Sequence, residues 1–275
     1  MYKGGALRQP FIVANWKMNT ELSDAIVLAQ SVKNGVDDLE GVEIVLCPPY
    51  IWLYPVAEAI EKVLNKKIKL GAQNLFWEDV GAYTGEISGK MLSKLCQYVI
   101  VGHSERRHYL REDDEEINNK VHAALRNGLK PIVCVGEQKK SSEAKLPNVG
   151  RPTNLAVKGD ILHQLSKALE QVSKKDMENA VIAYEPVWAI SKGTAESRNS
   201  ANGAYVASVI NQLREKIFRL YDWDTAQSIR IIYGGSVDAE NIKEYICQPE
   251  IDGVLVGGAS LKAKEFIKIC EEMAR

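Results

Sequence analysis

The feature that most restricts the fold of this chain is an eightfold alternation of short apolar runs with amphipathic stretches. The runs are rich in β-branched residues and predict strands at 11–15, 42–47, 68–72, 98–102, 131–136, 180–184, 229–234 and 253–258. Between them, apolar residues recur at three- and four-residue spacing and predict helices, as at Leu22, Ile26, Ala29 and Val32. Such strands favour a parallel sheet, because helical crossovers bury both of its faces.

A count of eight strands favours a sheet that closes into a barrel. An open, doubly wound sheet would be favoured by a GxGxxG turn after the first strand, but residues 14–19 read ANWKMN. The 275 residues are compatible with one barrel, since such barrels often reach roughly 250 residues. We therefore expect an α/β fold in which residues 1–275 form a single-domain eightfold β/α barrel. The polar residues 138–153 are expected to form a solvent loop after the fifth strand.

The charge balance argues against nucleic acid and anionic membrane surfaces as partners. There are 35 basic and 36 acidic side chains, so a formal net charge of −1 provides no bulk attraction to either. The start of the chain lacks the apolar stretch of a secretory signal. No run elsewhere approaches the roughly 20 apolar residues of a membrane-spanning helix. We expect a cytoplasmic protein with no nucleic acid and no membrane among its partners.

No metal site, disulfide framework or cofactor is predicted. The five cysteines, at positions 47, 96, 134, 247 and 270, form no CxxC pair. The acidic run REDDEE at 111–116 has no histidine or cysteine partner and precedes a helical pattern. We interpret it as a solvated helix start, where acidic residues complement the helix dipole.

Glu185 is the strongest candidate for a catalytic group. It directly follows the sixth predicted strand in AYEPVWAI, residues 183–190, and in a β/α barrel the loops after the strands meet at one rim. Pro186 restricts the backbone of its neighbours, and Trp188 is a large apolar group poorly suited to an idle solvent loop, so we expect this segment to fold over the site. A carboxylate shielded from water becomes a stronger base, which suits proton transfer near neutral pH.

The same positional argument selects Asn15 and Lys17 after the first strand, and His103 after the fourth. Lys17 could be an ordinary exposed amine, but a fixed ammonium at this rim would offset negative charge that develops in a reaction. His103, in VGHSERR, could simply cap a helix. A histidine at a helix start is also disfavoured as imidazolium, so it would stay neutral and act as a hydrogen-bond donor.

Two glycine pairs follow the last two strands, in YGGSV at 233–237 and VGGASL at 256–261. Each pair exposes backbone N–H groups toward the start of a helix, where phosphate is commonly held. A simple turn explains either pair alone, but β/α barrels often bind phosphate after strands seven and eight, where both lie. We therefore expect Ser236, Gly257 and Gly258 to bind an anion.

Taken together, these strings resemble the triosephosphate isomerase family. ANWKMN, GAQN, GAYTGEIS, VGHSERR, CVGE, AYEPVWAI, YGGSV and VGGASL occur in the family's order and extend over nearly the whole chain. The resemblance implies the eightfold β/α (TIM) barrel, a homodimer, and a glycolytic and gluconeogenic enzyme that needs no cofactor. Its substrate would be a small phosphorylated sugar, since the family interconverts dihydroxyacetone phosphate and D-glyceraldehyde 3-phosphate.

The resemblance also implies the catalytic roles. Glu185 would carry the proton between two adjacent carbons, and neutral His103 would polarise the substrate oxygens. Lys17 and Asn15 would stabilise the negative charge, and Glu105 would be a supporting charge near Lys17.

By the same resemblance, residues 186–195 would close over the substrate and exclude water. Thr84 would reach across a dimer interface toward the partner's site. The phosphate would lie on backbone amides at Ser191, Ser236, Gly257 and Gly258.

One departure from the family concerns the closing segment. The family usually has Gly-Thr-Gly after Ala-Ile, whereas this chain has Ser191, Lys192 and Gly193. Because glycine permits backbone conformations that serine avoids, the change leaves open an isomerase of a four-carbon ketose phosphate, such as erythrulose or another tetrulose phosphate. A third alternative is a barrel that binds phosphorylated sugars without turning them over, although the set Glu185, His103 and Lys17 argues against it.

Overall fold

A computed structural model describes residues 8–61, 68–137, 159–189 and 200–274. The strands are β1 Phe11–Asn15, β2 Glu43–Cys47, β3 Ile68–Ala72, β4 Tyr98–Val101, β5 Lys130–Val135, β6 Val181–Tyr184, β7 Arg230–Tyr233 and β8 Gly253–Val256. They pair in parallel in chain order, and β8 pairs with β1 to close the barrel. The eight predicted strands and the eightfold β/α (TIM) barrel are therefore confirmed.

Helices follow the strands and surround the barrel. They are α1 Leu22–Gly35, α2 Leu53–Glu61, α3 Gly89–Leu92, α4 Ser104–Tyr109, α5 Asp114–Arg126, α6 Gly159–Ala168, α7 Lys174–Met177, α8 Gly203–Leu220, α9 Trp223–Ser228, α10 Ile242–Ile246 and α11 Ala263–Ala274. The helix predicted from Leu22 onward is α1, whereas the predicted loop at 138–153 lies outside the described residues. No helix in the described parts of the chain is long and apolar enough to span a bilayer.

Alternate residues of each strand face the barrel interior and the surrounding helices. In β1, Phe11 and Val13 belong to the buried cluster inside the barrel, whereas Ile12 and Ala14 belong to the larger cluster between sheet and helices. The interior cluster also contains Val45, Cys47, Tyr98, Ile100, Ile132, Cys134, Val181, Ala183, Ile232 and Leu255. The next inward positions, toward the carboxyl ends of the strands, are therefore those at the mouth of the barrel.

The amino-terminal end of the barrel is closed by paired charges. Glu43 begins β2 and accepts hydrogen bonds from the Arg230 guanidinium at 2.6 Å and the Tyr98 hydroxyl at 2.8 Å. The guanidinium also lies 4.1 Å from the centre of the Phe11 ring. Burial raises the pKa of the Glu43 carboxyl, but Arg230 and Tyr98 outweigh burial and hold that pKa below its ordinary value. This end of the barrel is a packed, electrically balanced layer.

The acidic run at 111–116 occupies two environments. Asp113 caps α5 by accepting a hydrogen bond from the Glu116 N–H at 2.9 Å, and the Glu116 side chain returns the interaction. The predicted helix start is therefore confirmed. The interpretation of a solvated run is wrong for Glu112, which is buried and forms an ion pair with Lys120. Lys120 lies two helical turns away, so the charge run alone did not reveal this partner.

Candidate active site

Glu185 continues the inward-facing positions of Val181 and Ala183, so its side chain enters the mouth of the barrel. The glycines directly after both neighbouring strands, β5 and β7, make room for Glu185. A Cβ at Gly136 would lie 1.8 Å from the Glu185 carbonyl oxygen, and a Cβ at Gly234 would lie 2.8 Å from its Cγ. The Glu185 side chain is 1% exposed, so the carboxylate is removed from bulk water.

The carboxylate of Glu185 lies between the start of α4 and His103. Its Oε2 accepts a hydrogen bond from the Ser104 backbone N–H at 3.0 Å, and its Oε1 lies 3.3 Å from His103 Nε2. Oε1 is buried, and the described residues provide it with no hydrogen bond of acceptable geometry. Because buried polar atoms are rarely left without a partner, this oxygen marks a place where the protein is prepared to meet another molecule.

His103 caps α4, which is the first of the two roles that the sequence suggests for it. Its Nδ1 accepts a hydrogen bond from the Glu105 N–H at 3.2 Å. A ring nitrogen that accepts carries no hydrogen, so the neutral ring of His103 carries its hydrogen on Nε2, the atom nearest Glu185. The capping hydrogen bond to Nδ1 therefore selects the tautomer of His103 whose Nε2–H points toward the site. In this way the same ring can cap α4 and donate toward Glu185.

Lys17 enters the site beside Asn15 through a strained turn. Its φ is 53°, which non-glycine residues seldom adopt. Asn15 Oδ1 accepts a hydrogen bond from the Lys17 N–H at 3.0 Å, and Gln73 donates to the Lys17 carbonyl at 2.8 Å. The ammonium lies 2.7 Å from Glu105 Oε1. A Cβ at Gly257 would lie 3.3 Å from Lys17 Cε, so glycine lets the lysine stem pass the end of β8.

The residues predicted to bind an anion lie on the same rim. Ser236 follows β7, and its hydroxyl donates to the Ala189 carbonyl at 2.8 Å, which joins this loop to the segment after Glu185. Gly258 begins a short 3-10 turn, and a Cβ there would meet no described atom within 4 Å. Among the described residues, the space that a side chain at Gly258 would occupy is therefore open. Ser191 lies outside the described residues.

A comparison with known proteins identifies the family. The family model described as triosephosphate isomerase matches residues 10–273. The chain belongs to the triosephosphate isomerase family. A protein named triosephosphate isomerase from Dehalococcoides mccartyi strain BAV1 is 46% identical over 98% of each chain. Proteins of the same name from Caldanaerobacter subterraneus subsp. tengcongensis and Herpetosiphon aurantiacus are 45% and 42% identical over 96% of this chain, and over 99% and 98% of their own.

Sequence reasoning missed Glu137 in this triosephosphate isomerase family member. Its carbonyl accepts a hydrogen bond from the Val187 N–H at 3.0 Å. Its Oε1 accepts hydrogen bonds from the Tyr184 hydroxyl at 2.9 Å and the Trp188 Nε1–H at 2.6 Å. Glu137 thereby holds both the main chain and a side chain of the segment that follows Glu185. The signal was its position directly after the fifth strand, in CVGE.

The departure from the family at Ser191 and Lys192 lies outside the described residues, so the structure does not place it. Within residues 8–61, 68–137, 159–189 and 200–274, no group of three His, Cys, Asp or Glu side chains is arranged to hold a metal ion. The described rim carries a carboxylate at Glu185, an imidazole at His103 and an ammonium at Lys17.

Proposed function

We propose that this chain interconverts dihydroxyacetone phosphate and D-glyceraldehyde 3-phosphate by proton transfer through an enediolate. The observation that carries the proposal is the 3.3 Å approach of Glu185 Oε1 to His103 Nε2 in the mouth of the barrel. A carboxylate can take a proton from carbon, and an imidazole N–H can donate to oxygen, which are the two tasks of an aldose–ketose isomerisation. The relatives' name, triosephosphate isomerase, supports the triose as substrate.

Glu185 and His103 divide the proton transfers in this proposal. The substrate carbonyl oxygen would accept a hydrogen bond from His103 Nε2. The Glu185 carboxylate would then take the proton from the adjacent carbon, forming the enediolate, and return it to the former carbonyl carbon. His103 Nε2 would give its hydrogen to the former carbonyl oxygen and take the hydroxyl hydrogen from the oxygen on the adjacent carbon, which becomes the new carbonyl. Asn15 and Lys17, whose ammonium is held by Glu105, would offset the negative charge on the enediolate oxygens.

The phosphate group is proposed to bind where the loops after β7 and β8 meet. A Cβ at Gly258 would meet no described atom within 4 Å, and the Lys17 ammonium lies 3.7 Å from where a Cβ at Gly257 would stand. Open space and a positive charge therefore lie together at this part of the rim. Ser236 contributes to the same rim through its hydrogen bond to Ala189. Ser191, outside the described residues, remains part of the proposed phosphate site.

We further propose a cytoplasmic homodimer in which residues 1–275 form one domain. Large apolar side chains are exposed on the successive loops after β1, β2 and β3, namely Met18, Ile51, Val80 and Tyr83. Thr84 lies in the same exposed stretch as Val80 and Tyr83. Because the loops after neighbouring strands of a barrel lie side by side, we infer that these side chains form one apolar surface, which is typical of an interface between proteins. Sedimentation of the wild type as a dimer, and of Y83D as a monomer, is the expected result. A Y83D variant that remains dimeric would contradict this interface.

The reaction is tested by comparing turnover of the triose phosphates with that of a four-carbon ketose phosphate. We expect the triose phosphates to be isomerised far faster, and the opposite ranking would support the four-carbon alternative instead.

The reaction in D₂O also distinguishes an enzyme from a binding protein. We expect deuterium on carbon in the product, whereas binding without exchange would contradict the proposed proton transfer.

A further inference from the structure

The carboxylate of Glu137 receives another hydrogen bond, from a helix outside the barrel. Tyr205 lies in the first turn of α8 and donates its hydroxyl hydrogen to Glu137 Oε1 at 3.2 Å. The same oxygen accepts from Tyr184 and Trp188. Burial, and after it the charge of Glu137, raises the pKa of Tyr205 to about 12. The hydroxyl therefore remains protonated and able to donate at neutral pH.

The ring of Tyr205 also contacts Trp188 directly. The two ring centres lie 5.8 Å apart with an angle of 67° between their planes, an edge-to-face arrangement. Tyr205 thus contacts the indole through its ring and is linked to it through the carboxylate of Glu137. Glu137 is buried, and its Oε2 has no hydrogen-bond partner in the described part of the chain. The donors to Oε1 consequently decide where this carboxylate lies.

A short path connects Trp188 to the proposed catalytic carboxylate. Trp188 is three residues after Glu185, and the Val187 N–H between them is bonded to the Glu137 carbonyl at 3.0 Å. Glu185 itself is fixed on the other side by the Val135 carbonyl, which accepts its N–H at 2.8 Å. A shift of the indole or of Glu137 would therefore be transmitted to the main chain that carries Glu185. Proton transfer is sensitive to displacements of about 1 Å.

We propose that Tyr205 is a positioning residue for the isomerisation, which acts through Glu137 and Trp188 on the placement of Glu185. The proposal rests on the proposed function, because it assumes that Glu185 transfers the proton. It gives the first turn of α8 a role beyond covering the barrel. The hydroxyl and the ring have separable parts in this role, because only the hydroxyl reaches Glu137.

The experiment is a double-mutant cycle on the full-length enzyme with the triose phosphates as substrates. Y205F removes the hydroxyl and keeps the ring, and we expect kcat to fall about three- to tenfold with KM within about twofold of wild type. In a W188F background, which already lacks the indole N–H, we expect Y205F to cause little further loss. A change in tryptophan emission of Y205F, absent in W188F/Y205F, would report the displaced indole.

Y221F is the matched control. Tyr221 lies at the other end of α8, its hydroxyl donates to the Val172 carbonyl at 3.0 Å, and its pKa is likewise raised to about 12 by burial. We expect Y221F to leave kcat unchanged, even if it lowers the melting temperature as much as Y205F does.

Three results would overturn the role of Tyr205. They are a Y205F enzyme with the kcat of the wild type, equal slowing by Y205F and Y221F, and the same loss from Y205F in the W188F background. Each of these leaves the proposed function intact, since the wild type remains an active isomerase. A wild-type enzyme without isomerase activity would instead overturn the proposed function.

Discussion

The two ends of the barrel both bury charged side chains, but they treat them differently. At the amino-terminal end, Asp252 accepts hydrogen bonds from Arg8 at 2.5 Å, from Arg214 at 2.8 Å and from the Ile231 N–H at 2.8 Å. At the carboxyl end, Oε1 of Glu185 is buried without a hydrogen-bond partner among the described residues. The buried carboxylate of Asp252 therefore has its hydrogen-bond partners, whereas one oxygen of the buried Glu185 carboxylate lacks a partner in the part of the chain that the structure describes.

This difference between the two ends suggests that the charges at one end matter for stability and those at the other end matter for function. A buried polar atom without a partner costs on the order of 1–3 kcal/mol, so an incomplete site persists only where packing elsewhere supports it. At the paired amino-terminal layer, removal of one partner would leave the other charge buried and unpaired. We therefore expect substitutions at the carboxyl end to affect turnover, and those at the amino-terminal end to affect folding.

The largest expected effect is on turnover, at Glu185. E185Q removes the proposed base while keeping the shape of the side chain, so we expect kcat to fall about 10³-fold or more, equivalent to roughly 4 kcal/mol. E185D, which retracts the carboxylate by about 1 Å, should lose about 10²-fold or more. Steady-state kinetics measure both. The control E178Q changes an exposed glutamate before β6 and should retain activity; an active E185Q would remove the base from the mechanism.

The next effect is on stability, at Asp252. D252A leaves the Arg8 and Arg214 guanidinium groups buried without their carboxylate, so we expect a loss of about 3 kcal/mol in the free energy of unfolding. Denaturant titration measures the loss. The turnover of the folded fraction should equal that of the wild type. E215A, which breaks an exposed ion pair with Arg219, should cost less than about 0.5 kcal/mol. A fully stable D252A would show that the pairing at this end adds nothing.

A smaller loss of turnover is expected at Lys17. K17A removes the ammonium proposed to face the enediolate, and we expect kcat/KM to fall about 10²-fold with little change in stability. Weaker binding of inorganic phosphate would accompany it. K262A changes an exposed lysine after β8 and serves as the control. Normal kinetics in K17A would exclude Lys17 from the site and weaken the contrast between the two ends.

The smallest effect is a pH dependence at Glu43. Its pKa is lower in the folded protein than its ordinary value of 4.5, so its ionised form contributes stability above that pH. This contribution is lost as the pH falls through the lowered pKa. We expect E43Q to lose about 1 kcal/mol at pH 7 and to show a flatter decline of stability below pH 4.5. Parallel acid denaturation curves for the two proteins would contradict the contribution of Glu43.

Much of the fold and of the rim could be predicted because the signals are local. Each strand was marked by its own β-branched run, and Asn15, Lys17, His103 and Glu185 each stand where a run ends. Glu137 stands at such an end too and was still missed, because its partners Trp188 and Tyr205 come from other segments of the chain. Glu112 was misinterpreted for the same reason, since its burial depends on packing and not on the acidic run around it.

The sequence by itself determined the number and order of the strands, and the residues that a closed barrel must bring to one rim. Periodicity along the chain is enough for that, because parallel strands of a barrel end at the same face. Only the tertiary structure decided which nitrogen of His103 donates, which carboxylate oxygens lack partners, and which tyrosine joins Glu137. These properties depend on distances of about 3 Å between segments far apart in the chain, which no pattern of neighbouring residues encodes.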